Sequence, residues 1–263
     1  MIIKVCGMRD ADNIRELEQL NSQFSIIHSP LSINMMGFIF YPKSSRYVSE
    51  RPAYLPTHCK RVGVFVDADI EQVCRIADEY SLDYIQLHGH ESPAYIQELN
   101  KYWLRPISSR LGQTCKHDGP RCSEKSPLSI IKSFNIAEPS DFEQTKAYEG
   151  VADLFLFDTK GKNVGGNGEK FDWNVLKAYK GETTFLLSGG IGPEDAESFS
   201  IIHWPRPISS RLGQTCKHDG PRCSEKSPLS IHSKCIGIDL NSRFEIAPGL
   251  KDISKLKIFI NSL

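Results

Sequence analysis

The chain has 263 residues, 40% of them hydrophobic, enough to bury one sizeable core or two small ones. Its 32 basic and 32 acidic side chains cancel, so no overall field draws it to nucleic acid or to an anionic membrane. No run approaches the roughly 20 apolar residues of a membrane span, and the N-terminal MIIKVCGMRD lacks the apolar stretch and cleavage site of a signal peptide, which points to a cytoplasmic protein with reduced cysteines.

Along the chain, short apolar, β-branched runs alternate with amphipathic stretches. IIKV (2–5) leads through CGMRD to the helix DADNIRELEQL, and MMGFIF (35–40) leads to YPKSSR. RVGVFV (61–66) precedes DIEQVCRIADEY, and DYIQL (83–87) passes through HGHE to PAYIQELNKY. IIKSF (130–134) precedes DFEQTKAYEG, and DLFLFD (153–158) passes through DTKGKNVGGNG to DWNVLKAYKG. TFLLS (184–188) meets GGIGPE and the helix PEDAESFSII, and CIGID (235–239) meets LNSRFE and LKDISKLKIFINSL. Several of the helices open with an Asp cap or a Pro in the first turn.

Nearly continuous apolar strands alternating with helices predict an α/β fold whose parallel sheet is covered on its outside. Eight such units favour a closed (β/α)8 TIM barrel, a single domain over residues 1–263, with an open doubly wound sheet as the alternative. Polar residues cluster just after the strands, and in a barrel those segments share one mouth, the catalytic face.

A block of 26 residues, RPISSRLGQTCKHDGPRCSEKSPLSI, occurs at Arg105 to Ile130 and again, letter for letter, at Arg206 to Ile231. FSIIHSPLSI, at Phe24 to Ile33, joins fragments of the same element. Identity without drift, in copies far apart, marks inserted elements rather than structural repeats. They lack helical or strand periodicity and read as loops at about 22–33, 105–130 and 206–231, between a helix and the next strand, on the face away from the chemistry. Their C-x6-C spacing, at Cys115/Cys122 and Cys216/Cys223, is unlike the close pairs of structural zinc, so no metal is expected.

Two strand ends carry the strongest chemistry. Cys6 closes the first strand and Asp158 the sixth, a thiol and a carboxylate able to point into one mouth and divide acid and base work. Buried packing for Cys6 and a helix cap for Asp158 are the structural alternatives. SGGIGPED, with Gly189 and Gly190, is a glycine-rich turn into a helix after the seventh strand, the usual phosphate position of this architecture; Asn241 and Ser242 add donors after the eighth, and Asp239 at its end joins the substrate-binding set. Arg46 offers a bidentate fork to a carboxylate, or a surface ion pair. His88 ends the fourth strand as a ligand donor or a structural histidine, and GGNG (Gly165 to Gly168) is a lid or a plain turn.

KVCGM, GFIFYPKSSRYV, VGVFV, QLHGHESP, LFDTK, GGNGEKFDW, LSGGI and IDLNSRFE, in this order, resemble the phosphoribosylanthranilate isomerase family of tryptophan biosynthesis. The resemblance spans the chain outside the inserts. It implies an Amadori rearrangement of N-(5-phosphoribosyl)anthranilate to the 1-deoxyribulose 5-phosphate derivative, with Asp158 as general acid and Cys6, as thiolate, general base. Arg46 would meet the anthranilate carboxylate, and Gly189, Gly190, Asn241 and Ser242 the phosphate. It further implies no cofactor, a small phosphorylated substrate and a monomer or homodimer. IDLNSRFE departs from the Ser-Ser-Gly run of many members, which leaves the phosphate donors there open. Two other readings stand beside this one: another sugar-phosphate isomerase on the same barrel, such as the histidine-pathway enzyme with two aspartates at its strand ends, and a non-catalytic barrel binding a partner through its basic inserts.

Overall fold

The computed structural model describes residues 1–26, 31–105, 128–159, 173–200 and 234–263. Eight strands form the barrel: β1 (Ile2–Val5), β2 (Ile33–Ile39), β3 (Lys60–Phe65), β4 (Tyr84–Leu87), β5 (Ser129–Ile136), β6 (Leu154–Thr159), β7 (Phe185–Ser188) and β8 (Cys235–Leu240). They pair in parallel, each with its sequence neighbour, and close through β1 and β8, so the expected TIM barrel is the fold and the open sheet is excluded.

Around it lie α1 (Ala11–Ile26), α2 (Ile70–Tyr80), α3 (Pro93–Trp103), a short helix Ala196–Ser200 and the C-terminal helix Ile253–Asn261. Ser92 caps α3 by accepting the Tyr95 N–H, with Pro93 in the first turn, and Asp252 caps the last helix through the Lys255 N–H. Among the described residues no helix is long and apolar enough to cross a membrane.

Two stretches expected as α-helices are 3₁₀ helices instead, Pro139–Tyr148 and Trp173–Ala178. Their apolar contacts recur at every third residue, Phe142, Thr145 and Tyr148 in one, Trp173, Leu176 and Tyr179 through the other. Three residues per turn align such positions on one face, where 3.6 would fan them out. That face packs on aromatic rings of the outer barrel surface, with Phe142 and Tyr179 each about one ring from Phe157, at 5.2 and 5.1 Å between centroids.

Inside the barrel, Met35, Val62, Ile131, Leu154, Leu156 and Leu186 fill an apolar layer toward the N-terminal ends of the strands. Strand alternation then places Lys4, Gln86, Ser133 and Asp239 above it. Asp239 reaches the interior because β8 changes register against β7, Phe185 opposing Cys235 while Leu186 opposes Gly237. The extra residue turns Asp239 inward while Cys235 and Ile238 pack outside.

The interiors of the repeated blocks lie outside the described residues, as do Cys115, Cys122, Cys216, Cys223 and the GGNG turn. The third copy, 206–231, lies outside them entirely, but edges of the first two are described, and there the loop assignment needs correction. Phe24 is buried within α1, and the SI endings of the first two copies enter strands, with Ile33 opening β2 and Ile130 wholly buried in β5. A Leu-Ser-Ile tail is apolar and β-branched enough to start a buried strand, so this part of the block is structural.

Candidate active site

A cavity of ≈ 650 Å³ opens at the C-terminal ends of the strands, and Cys6, Arg46, His88, Asp158, Gly189, Gly190, Asp239, Asn241 and Ser242 all line it. Every site residue expected from the sequence thus meets in one place. Cys6 follows β1 and Asp158 sits near the end of β6, so thiol and carboxylate approach the cavity from separated strands.

The thiol lies among charges that sequence reasoning overlooked. Lys4, two residues earlier on the same face of β1, is fully buried and donates to Asp239 Oδ1 at 2.8 Å directly across the β1–β8 ladder. Its ammonium charge also acts on Cys6. Burial pushes the Cys6 thiol up; Lys4 pulls it back, Asp239 adds to the rise and Lys251 opposes it. Lys4 stays above its ordinary range, because Asp239 and Cys6 outweigh the burial that lowers it. Asp239 therefore lines the cavity with both oxygens in use, the second accepting from Ser188 at 3.4 Å.

Arg46 grips Glu245 with one edge of its guanidinium, Nε to Oε1 at 2.8 Å and Nη2 to Oε2 at 2.6 Å. The expected fork is present, and a protein carboxylate holds one side of it. Glu245 begins a two-stranded hairpin, β9 (Glu245–Ala247) and β10 (Leu250–Lys251), that takes residues 250 and 251 out of the expected last helix. Buried Lys251 donates to Glu245 Oε1 at 2.6 Å and to Asn241 Oδ1 at 2.8 Å. Burial alone would raise the Glu245 carboxyl, but Arg46 and Lys251 hold it down at about 2. With its amide oxygen taken, Asn241 keeps its N–H donors for another acceptor. The sequence signals for these residues were slight: one Lys inside an apolar strand, and the Pro248-Gly249 pair that marks a turn.

Gly189 and Gly190 adopt φ of 93° and 68°, a left-handed path that favours glycine. A Cβ on Gly190 would meet nothing within 4 Å, so the turn leaves open space above its backbone. The adjoining Gly192 N–H is already bonded to buried Asp195 at 2.8 Å, and Arg243 ties this loop to the one after β8 through Glu194 at 2.6 Å.

On the opposite wall, His88 Nε2 stands 3.7 Å from Asp158 Oδ2, while its Nδ1 faces Gln86 Nε2 at 3.3 Å. Nε2 is thus the ring nitrogen turned toward Asp158, and Nδ1 the one turned toward Gln86. Gln86 also donates to Ser133 at 3.1 Å, and its buried Oε1 has no partner among the described residues. Among those residues no group of His, Cys, Asp and Glu is arranged to hold a metal ion.

The model of the N-(5′-phosphoribosyl)anthranilate isomerase family matches residues 9–111 and 121–207. The chain is 42% identical to the enzyme of that name from Parabacteroides distasonis, over 100% of the chain and 93% of the relative, and 40% identical to that from Phocaeicola vulgatus, over 100% and 98%. Among solved structures, phosphoribosyl anthranilate isomerase from Thermotoga maritima superposes with a TM-score of 0.64 at 23% identity, over 100% of this chain and 98% of that one. An isomerase in complex with reduced 1-(o-carboxyphenylamino)-1-deoxyribulose 5-phosphate follows at 0.61 and 22%, over the same shares. At such identities the superpositions speak for the fold alone.

Proposed function

Since the chain belongs to the N-(5′-phosphoribosyl)anthranilate isomerase family, isomerases of tryptophan biosynthesis, we propose that Asp158 and Cys6 divide the two proton transfers of its Amadori rearrangement. One observation carries this assignment: a thiol and a carboxylate from β1 and β6 line the same cavity, with a carboxylate-binding fork and an open glycine turn beside them. One small substrate that gains a proton at one atom and loses one at another needs such a pair.

Asp158 gives its proton to the furanose ring oxygen as the C1–O bond breaks, leaving an iminium between C1 and the anthranilate nitrogen. His88 Nε2 faces the carboxylate that remains. Cys6, as thiolate, then takes the proton from C2, whose acidity the neighbouring iminium raises. The C–H electron pair becomes the C1=C2 bond, and the enolamine tautomerises to the ketone. Burial that raises the thiol also makes the thiolate a stronger base once it forms.

The free end of the Arg46 guanidinium receives the anthranilate carboxylate, while Glu245 fixes the plane of the fork. The phosphate lies over Gly189 and Gly190, with Asn241 and Ser242 as further donors and Asp239 serving through Lys4. The reading takes residues 1–263 as one catalytic barrel in the cytoplasm, needing no cofactor and acting as a monomer or homodimer; a neighbouring structure is of monomers generated from the dimeric phosphoribosylanthranilate isomerase of Thermotoga maritima.

Steady-state assays of Cys6→Ser and Asp158→Asn with N-(5-phosphoribosyl)anthranilate test the assignment. Each should lose at least about 100-fold in kcat. Near-native rates in either variant would remove that residue from the chemistry.

A further inference from the structure

The base assigned above is a buried thiol, and burial favours its neutral form. Something must hold the thiolate, and four charged neighbours are at hand. Lys4 comes from β1, Asp239 from β8, Lys251 from the hairpin and Arg46 from the segment after β2. The last two are both bound by Glu245, at 2.6 Å each, and act on Cys6 through space. Lys4 alone among them comes from the strand that carries the thiol, two residues before it.

Placement sharpens the contrast. Residues two apart on a strand face the same side, so Lys4 and Cys6 both enter the barrel. Asp239, opposite Lys4 in the ladder, anchors the ammonium at 2.8 Å and is itself held by Ser188. An ammonium has three N–H donors; the carboxylate takes one and leaves two on the side of the sulfur. A merely structural role explains the pair poorly. A buried ion pair is weak evidence for stability, and apolar side chains often serve as well. The ladder from Ile2 to Val5 already joins β1 to β8.

We propose that Lys4 is a positioning residue for the reaction: anchored by Asp239, its ammonium group orients the Cys6 sulfur and stabilises the thiolate that removes the sugar proton. This rests on the assignment of Cys6 as the base. On forming the thiolate, Cys6 gives its proton to solvent at the cavity mouth. Thiolate, ammonium and carboxylate then carry one net negative charge. When the C2–H bond breaks and the S–H bond forms, the triad becomes neutral and the iminium positive charge is lost with it. Lys4 keeps its proton throughout, and Asp239 keeps it in place.

The test follows alkylation of Cys6 by iodoacetamide against pH, read on the Cys6 peptide by mass spectrometry, beside pH profiles of kcat and KM. In Lys4→Met the alkylation midpoint and the acidic limb of kcat should both rise by about one pH unit or more, with KM within about 2-fold. Lys4→Arg should restore most of the shift, which a packing role would not predict. If Lys4→Met fails to fold, Lys4→Met/Asp239→Leu leaves no carboxylate stranded, and its midpoint should also rise, by less. An unmoved midpoint in a folded variant overturns the proposal. A midpoint that rises while the kcat limb stays put supports the Lys4–Cys6 coupling and instead overturns Cys6 as the base.

Discussion

Gly37 and Cys6 face each other across the β1–β2 pair so closely that a Cβ on Gly37 would lie 2.8 Å from the Cys6 sulfur. The missing side chain on β2 is therefore the space in which the thiol sits. Gly37→Ala should push the sulfur off its line to the sugar, lowering kcat by about 10- to 100-fold. Overpacking should cost about 1–3 kcal/mol in stability. Steady-state kinetics and urea denaturation measure both, and an unchanged kcat would mean the sulfur's position is not critical.

The guanidinium of Arg46 is shared between Glu245 and the proposed anthranilate site. Lysine keeps the charge and loses the planar fork. Arg46→Lys should raise KM by roughly 10-fold, with a smaller change in kcat. A KM equal to that of the native chain would assign this side chain to the hairpin alone.

Burial would raise the Glu245 carboxyl, but its bonds to Arg46 and Lys251 hold it at about 2, below the usual carboxylate range. A depressed folded pKa stabilises the fold above the unfolded value, and that stabilisation is lost as pH falls through the folded one. The stability gap between the native chain and Glu245→Gln should stay constant from pH 5 to 7 and narrow from about 4.5 toward 2. Urea unfolding at stepped pH measures it, and a gap that widens in acid would contradict the pairing.

Lys132 and Glu91 form a further buried pair at 3.1 Å, with Lys132 also donating to Gly89 O at 2.7 Å and Glu91 accepting the Asp67 N–H at 2.8 Å. Neither lines the cavity. Lys132→Met leaves a buried carboxylate without its cation and should cost about 3–5 kcal/mol in denaturant unfolding. KM should remain within about 2-fold while the protein is folded, since the pair braces the loops after β3 and β4 and is not expected to touch the ligand. A tenfold change would place these loops in binding.

The barrel was legible because each strand is a short apolar run, and the site because its polar residues end those runs. Cys6, Asp158, Arg46 and the glycines of the seventh loop could be placed at one mouth on that basis alone. What turns Asp239 inward is a register change in β8, and nothing in CIGID announces it. Lys4 read as one polar letter in a strand, and Lys251 as part of a helix that begins at Ile253. Both needed long-range neighbours to acquire meaning. The 3₁₀ helices were missed because their three-residue spacing approximates an α-helical face over so short a stretch.

Lys4 meets Asp239 across 235 residues of chain, and Asn13 exchanges two hydrogen bonds with the backbone of Lys251 across 238. During synthesis the thiol near the start of the chain has no anchored ammonium beside it until β8 has been made, and no Lys251 until the hairpin follows. Cys6 is made well before Asp239 and Lys251, so its surroundings are complete only once β8 and the hairpin have followed. A fragment ending before β8 should carry a cysteine without its anchored cation, so the thiolate is stabilised only once the ring is shut.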